Sequence, residues 1–148
     1  LIDAGADMNA RTNSGKSFIF WMEKNSKLKN VVNIGSQYGI VASNLNLYEK
    51  NENITALHYG VAKAGLNHLT KEMAVRFAHK NIKVNCVAFG GIEGRVNEDF
   101  KKRYSKLSPI GRMLDDNDLF GPISMLVSSS ASGITGHTLV VDGGWTIW

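Results

Sequence analysis

The sequence is poor in cysteine and proline and has no long apolar run. Of its 148 residues, one is cysteine and two are proline, so a scaffold stapled by disulfides within the chain is excluded. No stretch approaches the roughly 18 consecutive apolar residues of a membrane-spanning helix. Because Cys86 lies within the apolar run 84–89, we expect a buried thiol and a reducing, cytoplasmic compartment.

Clustered positive charge, metal-ligand spacing and a secretory leader are also missing. The net charge of +4 comes from scattered lysines and arginines, as on an ordinary solvated surface. The four histidines show no metal-ligand spacing with one another or with acidic residues. Residues 1–10 contain Asp3 and Asp7 and no basic region before an apolar stretch, unlike a signal peptide. We therefore expect no metal, no nucleic-acid partner and no membrane partner.

Short β-branched runs alternate with helical patterns from residue 31 onward. The predicted strands are 31–34, 82–88 and 138–141, and the predicted helices are 56–80, 96–106 and a third that runs to about 127. Asp115 or Asp116 can cap the third helix, and the first helix should bury one broad apolar face. This alternation predicts an α/β fold with a parallel sheet. Ligands bind beyond the carboxyl ends of such strands, where Ser36, 89–92 and 142–144 fall.

Tyr59 and Lys63 form a candidate catalytic pair on the first predicted helix. They stand four residues apart, which places their side chains on one helix face with Cβ atoms about 5–6 Å apart. A phenol is a weak proton donor and acceptor near neutral pH unless a neighbouring positive charge favours its ionised form. Ser36, at the end of the preceding strand, can orient a carbonyl or alcohol oxygen toward Tyr59. The Tyr-x-x-x-Lys spacing alone is weak, because two exposed helical residues often have it by chance.

Five stretches, in the expected order, resemble the short-chain dehydrogenase/reductase family. They are 31–36 (VVNIGS), 59–66 (YGVAKAGL), 82–88 (IKVNCVA), 108–112 (SPIGR) and 134–144 (ITGHTLVVDGG). The resemblance extends over residues 31–148, about four-fifths of the chain. It implies an α/β fold with a partial Rossmann-type, doubly wound parallel sheet that lacks its N-terminal half.

The same resemblance implies an activity and a set of residues. The expected protein is an NAD- or NADP-dependent oxidoreductase that moves hydride between the cofactor and a small carbonyl or alcohol substrate. Ser36, Tyr59 and Lys63 match the family's catalytic residues. The cofactor-binding positions implied by the resemblance are Tyr59, Lys63, Gly90, Gly91 and Ile92. Since family members often form dimers or tetramers, we expect a homo-oligomer.

Two departures from the family pattern concern the site. Phe89 replaces the proline that usually begins the cofactor turn. Twenty-two residues separate Ser36 from Tyr59, more than in many members, so the loop 38–57 carries an insertion that should border the substrate pocket. This loop and the C-terminal residues 142–148 resemble members associated with bacterial surface-sugar and flagellin modification. That likeness implies a sugar derivative as substrate.

Residues 1–30 do not match the beginning of the family pattern. Complete members start with a strand and a glycine-rich turn, Thr-Gly-x-x-x-Gly-x-Gly, that binds the cofactor pyrophosphate, and residues 1–30 contain no such turn. Residues 1–22 instead resemble parts of two ankyrin repeats, so we divide the chain into an ankyrin-like or atypical segment 1–29 and a catalytic part 30–148. Asn13 matches the family's proton-relay asparagine. The alternative hypothesis is a non-catalytic remnant or binding module.

Overall fold

The computed structural model describes residues 28–49, 54–94 and 96–148. Three strands lie within these ranges: β1 (Asn30–Ser36), β2 (Lys83–Phe89) and β3 (Thr138–Val141). The same ranges contain three α-helices: α1 (Leu57–Phe77) between β1 and β2, then α2 (Glu98–Leu107) and α3 (Asp116–Val127) before β3. These elements confirm the predicted order of strands and helices. Residues 1–27 of the ankyrin-like segment, which include Asn13, lie outside the described residues.

The three strands form one parallel sheet in the order β1-β2-β3. Where β1 pairs with β2, Val31 lies opposite Val84 and Ser36 lies opposite Phe89. Where β2 pairs with β3, Phe89 lies opposite Val141. All three strands therefore end at the same edge of the sheet, and the residues that follow them meet there. The sheet confirms the predicted α/β class and agrees with part of a Rossmann-type fold.

An apolar core lies between the C-terminal half of α1 and the first residues of β1 and β2. Its buried members are Val31, Met73, Ala74, Phe77, Ile82 and Val84. Met73 and Phe77 share a helix face because they stand four residues apart, and that face packs on the sheet. Each large side chain buried in this way contributes about 1.5–3 kcal/mol. Cys86 is also buried as a free thiol, as predicted.

The prediction that the first helix buries one broad apolar face is wrong for the helix as a whole. Leu57 and Val61 are 85% and 64% exposed, and Val75 is 80% exposed. The N-terminal half of α1 packs against the short 3₁₀ turn Gln37–Gly39 rather than against the middle of the sheet. Leu57, Val61 and Val75 are therefore apolar residues of α1 that the other described residues leave uncovered.

Close backbone contact fixes α1 against the end of β1. Gly39 belongs to the 3₁₀ turn that follows β1 directly. A Cβ atom added at Gly39 would lie 2.7 Å from the carbonyl carbon of Lys63, so a side chain at this position would displace the helix. The side-chain amide of Asn67 donates to the Gly39 carbonyl at 3.1 Å. These contacts hold the first turns of α1 beside Ser36.

Side-chain caps begin the two shorter helices. At the start of α2, Asn97 Oδ1 accepts a hydrogen bond from the Phe100 N–H at 2.8 Å. At the start of α3, Asp115 and Asp118 each accept from the other's backbone N–H, at 3.3 and 2.9 Å. Of the two predicted caps, Asp115 is therefore the one that begins the helix. Across the described ranges, no helix combines the length and the apolar character that a membrane crossing needs.

Candidate active site

A cleft of about 310 Å³ opens at the carboxyl ends of β1 and β2. Its lining residues, all uncharged, are Ser36, Gln37, Tyr38, Thr55, Tyr59, Gly90, Gly91 and Ile92. The cleft thus brings together five of the residues singled out from the sequence. Of the other two, Lys63 lies one helical turn beyond Tyr59 on α1, and Asn13 lies outside the described residues.

Ser36 is the last residue of β1 and is almost buried, with 7% of its surface exposed. Its hydroxyl oxygen accepts a hydrogen bond from the Tyr38 N–H at 3.2 Å, which caps the 3₁₀ turn after the strand. A serine hydroxyl that accepts one hydrogen bond still has its own proton to donate. Because Ser36 also lines the cleft, that proton is placed to meet an oxygen of a bound molecule.

Tyr59 and Lys63 project from the first two turns of α1. The Tyr59 side chain lines the cleft, and 38% of this residue is exposed. The Lys63 ammonium donates to the Ile34 carbonyl at 2.7 Å and lies 5.6 Å from the centroid of the Tyr59 ring. The positive charge is therefore held between the end of β1 and the tyrosine. No local sequence signal pointed to the Ile34 carbonyl as the acceptor.

The turn Gly90–Ile92 forms the opposite wall of the cleft. The Gly90 N–H donates to the Val141 carbonyl of β3 at 2.9 Å. The Leu114 N–H donates to the Gly91 carbonyl at 2.9 Å, and the Glu93 N–H donates to the Leu114 carbonyl at 2.9 Å. The turn is thus bound on one side to β3 and on the other to the segment before α3, although Phe89 stands where a proline is usual.

The loop between β1 and α1 contributes two residues with hydroxyl groups to the lining of the cleft. Tyr38 and Thr55 line it, and both contact Tyr48 through their hydroxyls, at 3.1 and 2.8 Å respectively. Burial raises the pKa of the Tyr38 phenol above its usual range, so this group stays protonated. Both residues belong to the loop that the sequence places beside the substrate pocket, but their pairing through Tyr48 had no sequence signal.

Helix α2 packs under the cleft and holds this loop. The Tyr104 ring stacks on Trp145, with ring centroids 4.3 Å apart. Arg103 donates to the Leu47 carbonyl at 2.8 Å and forms an ion pair with Glu49 at 3.0 Å. Leu47 itself is fully buried, so α2 and the loop form one packed unit beside the cleft.

The fold and the cleft define an α/β protein whose binding site lies at the carboxyl edge of a parallel sheet. A family model described as enoyl-(acyl carrier protein) reductase matches residues 12–146. The chain belongs to the short-chain dehydrogenase/reductase family. The match begins inside the segment 1–22 that resembles ankyrin repeats, so the family likeness extends before residue 30.

Known proteins similar to this chain include dehydrogenases and a flagellin modification protein. The flagellin post-translational modification protein A of Campylobacter coli is 36% identical over 132 residues, which are 89% of this chain and 51% of the relative. A short-chain dehydrogenase of Leptospira borgpetersenii, solved with bound NAD⁺, is 36% identical with a TM-score of 0.77, over 87% of this chain and 48% of its own. A gluconate 5-dehydrogenase of Burkholderia cenocepacia, solved with NADP and tartrate, is 27% identical with a TM-score of 0.70, over 80% and 45%. The chain therefore spans about half the length of these relatives.

Proposed function

We propose that this chain forms the catalytic part of an NAD(P)-dependent oxidoreductase that interconverts a carbonyl and an alcohol. The observation that carries the proposal is the composition of one cleft. Ser36, Tyr59 and the turn Gly90–Ile92 line it together, and the Lys63 ammonium lies beside the tyrosine ring. Family membership and the NAD⁺ and NADP found in similar structures support the same reading.

Each side chain then has a distinct task. Ser36 donates its free proton to the substrate oxygen and so fixes that oxygen near Tyr59. Tyr59 gives a proton to this oxygen during reduction and takes it back during oxidation, as a general acid and base. The Lys63 ammonium stabilises the negative charge on the Tyr59 oxygen when the proton has left. Asn13, if it takes the family position, relays that proton toward solvent.

The cleft fits the nicotinamide end of the cofactor. Its walls are uncharged, and Gly90 and Gly91 present backbone rather than side chains to the cavity. We expect Ile92 to add an apolar contact for the ring, and Tyr59 and Lys63, which stand one turn apart on α1, to contact the ribose. When bound, NAD or NADP supplies or accepts the hydride.

We also propose a sugar derivative as the substrate. Tyr38 and Thr55 line the side of the cleft that the loop forms, and residues that carry hydroxyl groups pair well with a polyhydroxylated molecule. The similarity to a flagellin modification protein and to a gluconate dehydrogenase points the same way. A panel of aldoses, alditols and simple secondary alcohols, assayed with all four cofactor forms, tests this. Equal rates on sugars and simple alcohols would contradict it.

The working protein is expected to be a cytoplasmic homo-oligomer. Leu57 and Val61 on α1, and Ile147 and Trp148 at the C-terminal end, are large apolar residues that are 64% exposed or more. Surfaces of this kind are favourable to bury between copies of a chain. Light scattering on the natural gene product tests this, and a monomer at all concentrations would contradict it.

Titration with NADH and NADPH, followed by nicotinamide fluorescence, separates the enzyme from the alternative. The alternative is a binding module or remnant that performs no hydride transfer. The natural gene product that contains this chain should bind one of the two cofactors with micromolar affinity. Absence of cofactor binding at millimolar concentration would refute the proposed oxidoreductase function and favour the alternative hypothesis.

A further inference from the structure

The Tyr104 hydroxyl bridges the two walls of the cleft. It accepts a hydrogen bond from the Gly91 N–H at 2.7 Å and donates one to Gln37 Oε1 at 2.8 Å. Gly91 belongs to the turn after β2, and Gln37 directly follows Ser36 at the end of β1. One phenol from α2 thereby ties together two residues that line the cleft from different strands.

The position of the Tyr104 ring is set by packing. The residue is 2% exposed and stacks on Trp145 at an interplanar angle of 15°. A Cβ atom added at Gly91 would lie 2.7 Å from Tyr104 Cε2 and 2.9 Å from Met113 Cε. Ring and turn therefore touch so closely that neither can shift alone.

The hydroxyl is suited to a structural hydrogen bond rather than to proton transfer. Burial raises the pKa of the Tyr104 phenol, so it remains a neutral group that both accepts and donates. Gln37 is 3% exposed, and its carboxamide would lose a buried partner without the phenol. Loss of such a partner is costly because the remaining polar group stays buried.

We propose that Tyr104 is a positioning residue whose hydroxyl holds the Gly90–Ile92 turn at a fixed place relative to Ser36, and so sets where the nicotinamide lies relative to Tyr59. This inference rests on the function proposed above. It assigns to α2 a role in cofactor placement, in addition to its packing on the loop. Tyr104 touches neither reactant and acts through the turn.

Tyr104→Phe, made in the natural gene product, tests the proposal because it removes the hydroxyl and keeps the stacked ring. Tyr48→Phe is the matched control, since it removes a hydroxyl bonded to Tyr38 and Thr55 but not to the turn. Two quantities are measured for each: the dissociation constant for NADH or NADPH, and the exchange rate of the Gly91 amide by NMR. For Tyr104→Phe we expect roughly tenfold weaker cofactor binding and at least tenfold faster Gly91 exchange. Neither quantity should change in Tyr48→Phe.

The outcomes separate this proposal from the proposed function. If the wild-type protein binds cofactor and Tyr104→Phe binds it equally well, the positioning role is refuted while the oxidoreductase stands. If the wild-type protein binds no cofactor, the proposed function fails, and cofactor placement fails with it. In that case, the Gly91 exchange rate still tests whether Tyr104 holds the turn. Faster exchange in Tyr104→Phe would support this, and an unchanged rate would refute it.

Discussion

The two halves of helix α1 differ in what their side chains contact. The C-terminal half contributes Met73 and Phe77 to a buried apolar core with the first residues of the strands. The N-terminal half carries Tyr59 and Lys63 next to the cleft, and its Leu57 is largely exposed. One half of the helix therefore supplies most of the packing, and the other places the polar groups.

Within this one helix, the residues that stabilise the fold are therefore distinct from the residues that border the cleft. Truncation of a tightly packed side chain lowers the unfolding free energy by several kcal/mol. Substitution of a half-exposed residue away from buried hydrogen bonds usually changes it by about 0.5 kcal/mol or less. Substitutions in the two halves should therefore affect different measurements.

Tyr59→Phe should have the largest effect, and only on turnover. Without the Tyr59 phenol, the proposed general acid and base is lost, so the turnover rate should fall roughly 10²- to 10⁴-fold. Because Tyr59 is 38% exposed, the melting temperature should change little. Steady-state rates and thermal unfolding, measured on the same preparation, check both parts. A rate within about threefold of wild type would refute the role of Tyr59.

Phe77→Ala should have the opposite profile. Phe77 is 2% exposed in the core, and truncation of a buried phenylalanine costs about 3–5 kcal/mol of unfolding free energy. Molecules that remain folded should still bind cofactor with the wild-type dissociation constant. Denaturant unfolding and cofactor titration at low temperature check this. A cofactor affinity lost in proportion to stability would show that the two halves are coupled.

Cys86→Ser should produce an intermediate effect on stability. The thiol is buried in β2 between the core and the cleft, and its burial raises its pKa. A serine hydroxyl in the same place is more costly to bury, by about 1–3 kcal/mol, although Asn67 Oδ1 lies 3.5 Å from the sulfur and can accept from either group. Denaturant unfolding measures the difference. An unchanged unfolding free energy would contradict the burial of residue 86 away from water.

Asp118→Asn should have the smallest effect, and one that depends on pH. Arg112 donates to the Asp118 carboxylate at 2.6 and 3.1 Å, which lowers the pKa of Asp118 from 3.8 to about 2. A carboxyl whose pKa is lower in the folded state stabilises the fold above its unfolded pKa, and this contribution is lost as the pH falls through the folded pKa. Wild type and variant should therefore differ slightly at pH 6 and converge toward pH 2. A difference that grows as the pH falls would contradict the assignment.

Local sequence patterns predicted the strands and helices, whereas the resemblance to the short-chain dehydrogenase/reductase family was needed to select Ser36, Tyr59 and the turn Gly90–Ile92 among the cleft residues. β-branched runs marked the strands, and acids before an apolar run marked Asp115 or Asp116 as a cap, of which the structure selects Asp115. The bridge from Gly91 through Tyr104 to Gln37 was not predicted, because it joins residues up to 67 positions apart by contacts that only the packing of α2 creates. The exposed half of α1 was also missed, since apolar periodicity shows which residues share a face but not what covers it.

Transfer of deuterium from substrate to cofactor tests the central claim most directly. The natural gene product is incubated with NAD⁺ or NADP⁺ and an alcohol from the substrate panel that is deuterated at its carbinol carbon. If the cleft holds the nicotinamide beside Tyr59, mass spectrometry should find one deuterium in each reduced cofactor molecule, and Tyr59→Phe should form almost none in the same time. Reduced cofactor without deuterium, or equal transfer by Tyr59→Phe, would contradict the account.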